Sequence, residues 1–168
     1  MVDSLAEEVA ALDPGNGDRY REKADSYVER LDEVDAAFRQ LSERARVDVA
    51  VFAGHNSFQY VENRYGFRIH SPQGVTPDAE PSPDDIAGTI ALVEDNDIDA
   101  ILYNPLETSD VDPPPLARRI LESTDATRAL PLASGDGTTG EWQDDGWGWI
   151  EQMTEINIPS LRTALGAE

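Results

Sequence analysis

The chain contains no cysteine. That excludes a disulfide framework and any thiolate metal site. Basic residues are scarce: thirteen lysines and arginines stand against thirty-four acids, and Lys23 is the single lysine. Phosphate binding requires a basic stripe, so the composition argues against nucleic acid as a partner. No apolar run approaches the roughly 18–20 residues needed to span a membrane as a helix. No basic segment followed by an apolar one opens the sequence either, so with Met1 taken literally as the start the expectation is a cytoplasmic chain. A P-loop, a nucleophile elbow and a His-Glu-x-x-His pair are all missing. Gly135-Asp136-Gly137-Thr138-Thr139-Gly140 has the glycines of a phosphate cradle, but no lysine follows and it reads as a surface loop. Histidine occurs twice, at His55 and His70, so any imidazole chemistry rests on those two.

What is present is charge of one sign. The formal net charge is −21 over 168 residues, a length that suits one domain with a real core. The acids are spread along periodic apolar segments instead of being gathered into a block. An acidic tail or disordered segment therefore fits poorly. The better reading is a halophilic, acidic protein whose surface suits concentrated salt, where screening reduces its self-repulsion.

Residues 1–12 read as a short helix with Val2, Leu5, Val9 and Leu12 on one stripe, broken by Asp13-Pro14-Gly15-Asn16-Gly17. A long helix over 18–44 follows. Its stripe of Tyr20, Ala24, Tyr27, Leu31, Val34, Phe38 and Leu41 alternates steps of four and three, and reads as core-packing in preference to a coiled-coil seam. The pattern then changes. Strands are expected at 47–53, 67–70, 100–103 and 129–132. Helices are expected at 57–65 with Phe58, Val61 and Tyr65 inward, after Ser82-Pro83-Asp84-Asp85 with Ile86, Ile90 and Val93 buried, around Leu116, Ile120 and Leu121, and over about 147–165. Strands separated by helices imply crossover connections, hence an α/β fold with a mainly parallel four-stranded sheet.

The residues then offer one arrangement with chemistry in it. His55 lies in the turn after the first strand and Asp136 in the loop after the fourth, so both belong to the carboxyl-end rim where open α/β sheets bind ligands. Imidazole with carboxylate suits a divalent transition metal such as zinc or manganese. Two ligands are fewer than a closed site requires. Asp78 and Glu80, in a proline-stiffened loop, are further candidates, although a solvated acidic turn is the preferred reading of both. His70 is expected to be a strand-end surface residue.

The order of motifs resembles a known family. Asp13-Pro14 precedes a long helix carrying Tyr20 and Tyr27; Gly54-His55-Asn56-Ser57-Phe58-Gln59-Tyr60, Arg64-Tyr65-Gly66 and Gln73-Gly74-Val75-Thr76-Pro77-Asp78-Ala79-Glu80-Pro81-Ser82-Pro83 follow. This sequence of pieces resembles the C-terminal part of the metal-binding proteins of zinc and manganese ABC importers. The resemblance implies two α/β lobes joined by one long helix, with an ion held in the cleft by two ligands from each lobe. On that pattern residues 1–46 are a short helix and the linking helix, and 47–168 a Rossmann-like C-terminal lobe. His55 matches the first C-lobe ligand and Asp136 the second. Histidine at the first position resembles the zinc-type members. The pattern commonly has an acid where this chain has Asn104, which leaves a supporting polar contact unassigned.

The implied function is capture of Zn2+, or of Mn2+, for uptake and not catalysis. The implied partners are the divalent metal ion, an ABC permease and an N-terminal lobe that lies outside this sequence, and the full-length protein would work at the outer face of the cell membrane. In its absence part of the Tyr20–Leu41 stripe is expected to be exposed. Two other readings stay open: a metal-free remnant or interaction domain, and an acidic α/β enzyme with His55 as general base. The charge reading predicts that raising KCl from low to molar concentration raises the thermal midpoint measured by calorimetry. A midpoint that ignores salt would remove the salt-adapted surface.

Overall fold

A computed structural model describes residues 1–76, 79–107 and 113–167. The chain divides into two compact units, Met1–Ala37 and the remainder from Phe38 onward. In the first unit, α1 (Val2–Leu12) is joined by a 3-10 turn (Pro14–Asn16) to the start of α2 (Gly17–Arg44). The face that α1 buries carries Ala6 and Ala10, whereas Leu5 and Leu12 of the expected stripe are exposed. Close approach explains the difference. A Cβ on Gly17 would stand 3.4 Å from the Ala10 Cβ, a spacing that only small side chains permit. Arg21 closes this unit by donating from Nε and Nη2 to both oxygens of Glu7, at 2.7 and 2.9 Å.

Twenty-eight residues make α2 about 42 Å long at the standard rise. Along it Ala24, Val34, Phe38 and Leu41 are buried, Leu31 is half-buried, and Tyr27 is exposed, as the partly uncovered stripe required.

The second unit is built on four parallel strands: β1 (Val49–Phe52), β2 (Arg68–His70), β3 (Ala100–Tyr103) and β4 (Arg128–Pro131), in the spatial order β2-β1-β3-β4. β1 and β3 are the central strands, and both are buried on both faces. Strand alternation assigns the faces. Val49, Val51 and Ala53 share a core with Ile101 and Tyr103, with Val93 of α4 (Pro83–Asp95) and with Ala117 and Ile120 of α5 (Pro115–Glu122). On the opposite face the Phe52 ring meets Phe58 edge-on at 5.2 Å, where α3 (Gln59–Tyr65) begins. The C-terminal helix α8 (Ile158–Ala164) packs against β1 and β3.

Local chemistry sets most boundaries. Gly66 stops α3 in the left-handed conformation at φ 84°, its N–H reaching Glu62 O at 2.8 Å. Ser82 and Asp85 form a reciprocal capping box at the start of α4, with Pro83 in the first turn. The last expected helix is instead interrupted. After the short α6 (Gly140–Asp144) and α7 (Trp149–Glu151), a π-helical turn occupies Gln152–Asn157 ahead of α8. Pro159 has no N–H for Glu155 O, and its ring clashes with that carbonyl in α register, so the wider turn falls just before it.

His70 also departs from expectation. It is half-buried, not a surface residue, and its Nε2 lies 2.8 Å from Thr89 Oγ1, which in turn donates to Asp85 O at 2.8 Å. The parallel crossover brings α4 over the strand end, and that covers the imidazole. Burial lowers the His70 pKa below its ordinary value, the Arg68 charge adds to the effect and Asp85 opposes it. The unfolded chain therefore takes up this proton first as pH falls, and the stability associated with neutral His70 is lost below about pH 6.5. Urea unfolding at pH 8 and pH 5.5 should show a smaller loss of stability for His70→Gln than for the wild type. Equal losses would sink this assignment.

Candidate functional site

The sheet order creates a crevice at a defined place. The chain leaves β1 toward β2 on one side and leaves β3 toward β4 on the other, so the winding reverses between β1 and β3. Loops at such a reversal diverge, which is where open α/β sheets accept ligands. His55 follows β1, and Asn104 to Glu107 follow β3.

The turn holding His55 is fixed from both sides. Gly54 O accepts a hydrogen bond from Ser71 Oγ, which also accepts from Gln73 N at 3.1 Å. Asn56 N donates to Gly74 O at 2.7 Å. The Asn56 side chain accepts from Phe58 N at 2.8 Å and donates to Ile69 O at 2.9 Å and Glu62 Oε2 at 3.2 Å. Glu62 Oε1 accepts from Ile69 N at 2.7 Å. The backbone on either side of His55 is thereby tied to the exit of β2. Gly54 itself has no room for a side chain: a Cβ there would lie 2.8 Å from Phe52 Cε1 and 3.4 Å from Glu107 Oε2.

The imidazole faces a carboxylate from the neighbouring loop. His55 Nδ1 lies 3.3 Å from Glu107 Oε1, with the two side chains 20% and 44% exposed. Among the described residues nothing hydrogen-bonds to His55 Nε2. Asn104 organises the loop that carries Glu107. Its Oδ1 accepts from Leu106 N at 3.0 Å, its backbone carbonyl accepts from Glu107 N at 3.2 Å, and its Nδ2 donates to Glu107 Oε1 at 3.1 Å. The same Nδ2 lies 3.4 Å from Ser134 Oγ, which donates to Asp136 Oδ1.

Asp136 is exposed on a loop that the C-terminal helices brace. Asn157 pairs with both backbone groups of Ala133 at 2.8 Å, and Gln152 Nε2 donates to Gly137 O at 3.0 Å. Gly135, at φ 81°, lets the loop pass Trp149, whose Nε1 would be 3.0 Å from a Cβ there. His55 and Asp136 thus belong to one rim, joined by the His55–Glu107 contact and by hydrogen bonds from Glu107 through Asn104 and Ser134 to Asp136. Glu80 is exposed and lines a cleft of about 300 Å3 with Gln73, Asn104 and Glu107. Asp78 lies outside the described residues.

The sequence model of the family described as zinc-uptake complex component A, periplasmic (ZnuA), matches residues 1–164. The chain belongs to that family. Among curated relatives, the high-affinity zinc uptake system protein ZnuA of Bacillus subtilis is 25% identical over 98% of this chain and 49% of its own length. The manganese-binding lipoprotein MntA of the same organism is 28% identical over 60% of this chain and 33% of its own. The solved metal-dependent lipoprotein YcdH, also from Bacillus subtilis, superposes with a TM-score of 0.73 at 24% identity, over 96% of this chain and 57% of that one. The likeness to YcdH supports the same fold. The chain spans about half the length of the zinc uptake relative it matches.

In this ZnuA-family chain the donor set fits a borderline divalent ion, with an imidazole nitrogen and carboxylate oxygens at one rim. Among the described residues no group of three or more histidines and acids could hold an ion together. Glu107 is the residue that sequence reasoning missed. Its signal was present in Asn104, an amide where the resembling pattern has an acid, with a carboxylate three residues later in the same turn. Gly54→Ala should destabilise the fold by about 1–3 kcal/mol, since the buried Phe52 ring cannot retreat from the new methyl. A denaturation midpoint equal to that of the wild type would show that the turn has slack.

Proposed function

We propose that this chain is the C-terminal part of a zinc-type solute-binding protein of an ABC importer, capturing a divalent metal ion for uptake. In this reading residues 1–46 supply the short helix and linking helix, and residues 47–168 the lobe. His55 and Asp136 are its ligands, and the remaining ligands come from a second lobe. The observation that carries the reading is the His55 imidazole at the winding reversal, its Nδ1 3.3 Å from Glu107 Oε1 and its Nε2 without a partner among the described residues, in a chain of the ZnuA family. A nitrogen donor favours zinc over manganese, because imidazole suits the softer ion. The task is binding and release, not bond-making. An importer's capture protein works at the outer face of the cell membrane with a permease as its partner. No helix among the described residues is long and apolar enough to cross a membrane.

Two ligands from one lobe give weak binding, so the test must read the residue as well as the heat. Zinc titrated into the 168-residue chain should shift the His55 imidazole signals in proton–nitrogen correlation spectra. The apparent affinity by calorimetry should fall at least about 10-fold in His55→Ala, since losing a ligand exceeds the loss of an outer partner. Equal zinc binding by the wild type and His55→Ala would overturn the reading.

A further inference from the structure

We infer that Glu107 is the positioning residue for His55: it holds the imidazole in the Nδ1–H form, so that Nε2 presents its lone pair to the incoming ion, and Asn104 holds Glu107 in place. The inference rests on the metal-capture reading for its purpose, and on the geometry alone for the orientation of the ring.

A neutral imidazole has one N–H and one lone pair, and the hydrogen bond made by one nitrogen decides which is which. Of the two His55 nitrogens, Nδ1 faces a carboxylate oxygen at 3.3 Å. An ionised carboxylate only accepts, so the contact favours the hydrogen on Nδ1 and leaves the lone pair on Nε2. The arrangement is carboxylate–imidazole–ion, in which the outer carboxylate orients the ring.

Glu107 would not hold that place unaided, being 44% exposed on a loop beyond the strand end. Asn104 supplies the constraint. It is 5% exposed at the end of β3, and its Nδ2 donates to the same Glu107 oxygen that faces His55. Its Oδ1 and backbone carbonyl accept from Leu106 N and Glu107 N, which folds the loop back over the rim. An acid at position 104 could not do this, since it has no N–H to give Glu107 and would repel it at this range. The carboxylate beside His55 lies three residues past the amide at the strand end, and that amide is what makes the placement work.

The test reads the ring first and the ion second. Long-range proton–nitrogen spectra of the metal-free 168-residue chain at pH 8.5 report the tautomer of His55. The expected result is Nδ1–H in the wild type, retained in Glu107→Gln, which keeps an acceptor oxygen. Glu107→Ala and Asn104→Ala should shift the ring toward the Nε2–H form that imidazole side chains favour in water. Zinc affinity should fall about 10–100-fold in Glu107→Ala and much less in Glu107→Gln. Circular dichroism of each variant separates these effects from unfolding. An Nε2–H wild type, a tautomer unmoved by Glu107→Ala in a folded chain, or zinc bound through Nδ1 would overturn the inference. A tautomer that depends on Glu107, in a chain whose zinc binding ignores His55, would overturn the capture reading while leaving the orientation of the ring standing.

Discussion

Asn104 is an amide buried at the end of the central strand β3, and burying an amide is unfavourable unless its donors and acceptor are matched. Here they are matched by the loop that follows and by Ser134 after β4. Those bonds dictate where the rim can go. Without the Oδ1 bond to Leu106 N the chain after β3 would have no reason to turn back, and Glu107 would not reach His55. Without the contact to Ser134 the loop bearing Asp136 would lose its link to the β1–β3 crevice. A second buried amide, Asn157, works in parallel by closing both backbone groups of Ala133. The site therefore depends less on the charged side chains themselves than on two neutral ones beneath them.

The sequence made the sheet legible because its strongest patterns are local. Runs of small and β-branched residues at 49–52 and 100–103, Gly66 behind α3 and the Ser82-Pro83 cap each act over a few residues. His55 was legible for the same reason, since a histidine three residues past a strand end needs no tertiary knowledge to place. What escaped was set by contacts distant in sequence. The burial of His70 requires α4 to cross over β2, and Glu107 requires the turn after β3 to fold toward the turn after β1, 52 positions earlier. The stripe of α1 failed for a different reason. Periodicity weights large apolar residues, whereas helices that approach closely bury the small ones, here Ala6, Ala10 and Gly17.

Interruption of the C-terminal helix follows the same division. Pro159 breaks the α ladder, but its effect depends on what the helix would otherwise lose. Asn157 lies in the π-helical turn and carries the amide that holds Ala133. A continuous α register through 152–164 would rotate Asn157 relative to the helices on either side by a good part of a turn. The local defect and the brace for the Asp136 loop are therefore one feature.

A net charge of −21 draws cations of every kind toward this chain and cannot by itself select among them. Concentrated salt weakens even that attraction, since the screening length falls to a few ångströms. Any discrimination between a transition-metal ion and an abundant hard cation must then come from the donor atoms. Carboxylate oxygens are plentiful over this surface and suit calcium or magnesium as well as zinc. An imidazole nitrogen does not, because hard cations bind it poorly. His55 is one of two such side chains in the chain, and the other, His70, is turned inward against Thr89. Under the proposed reading this lobe's share of the selectivity therefore rests on one lone pair, and an acidic protein has more need than most to fix its direction. The carboxylate at Glu107 does so through one oxygen, which Asn104 and His55 both engage.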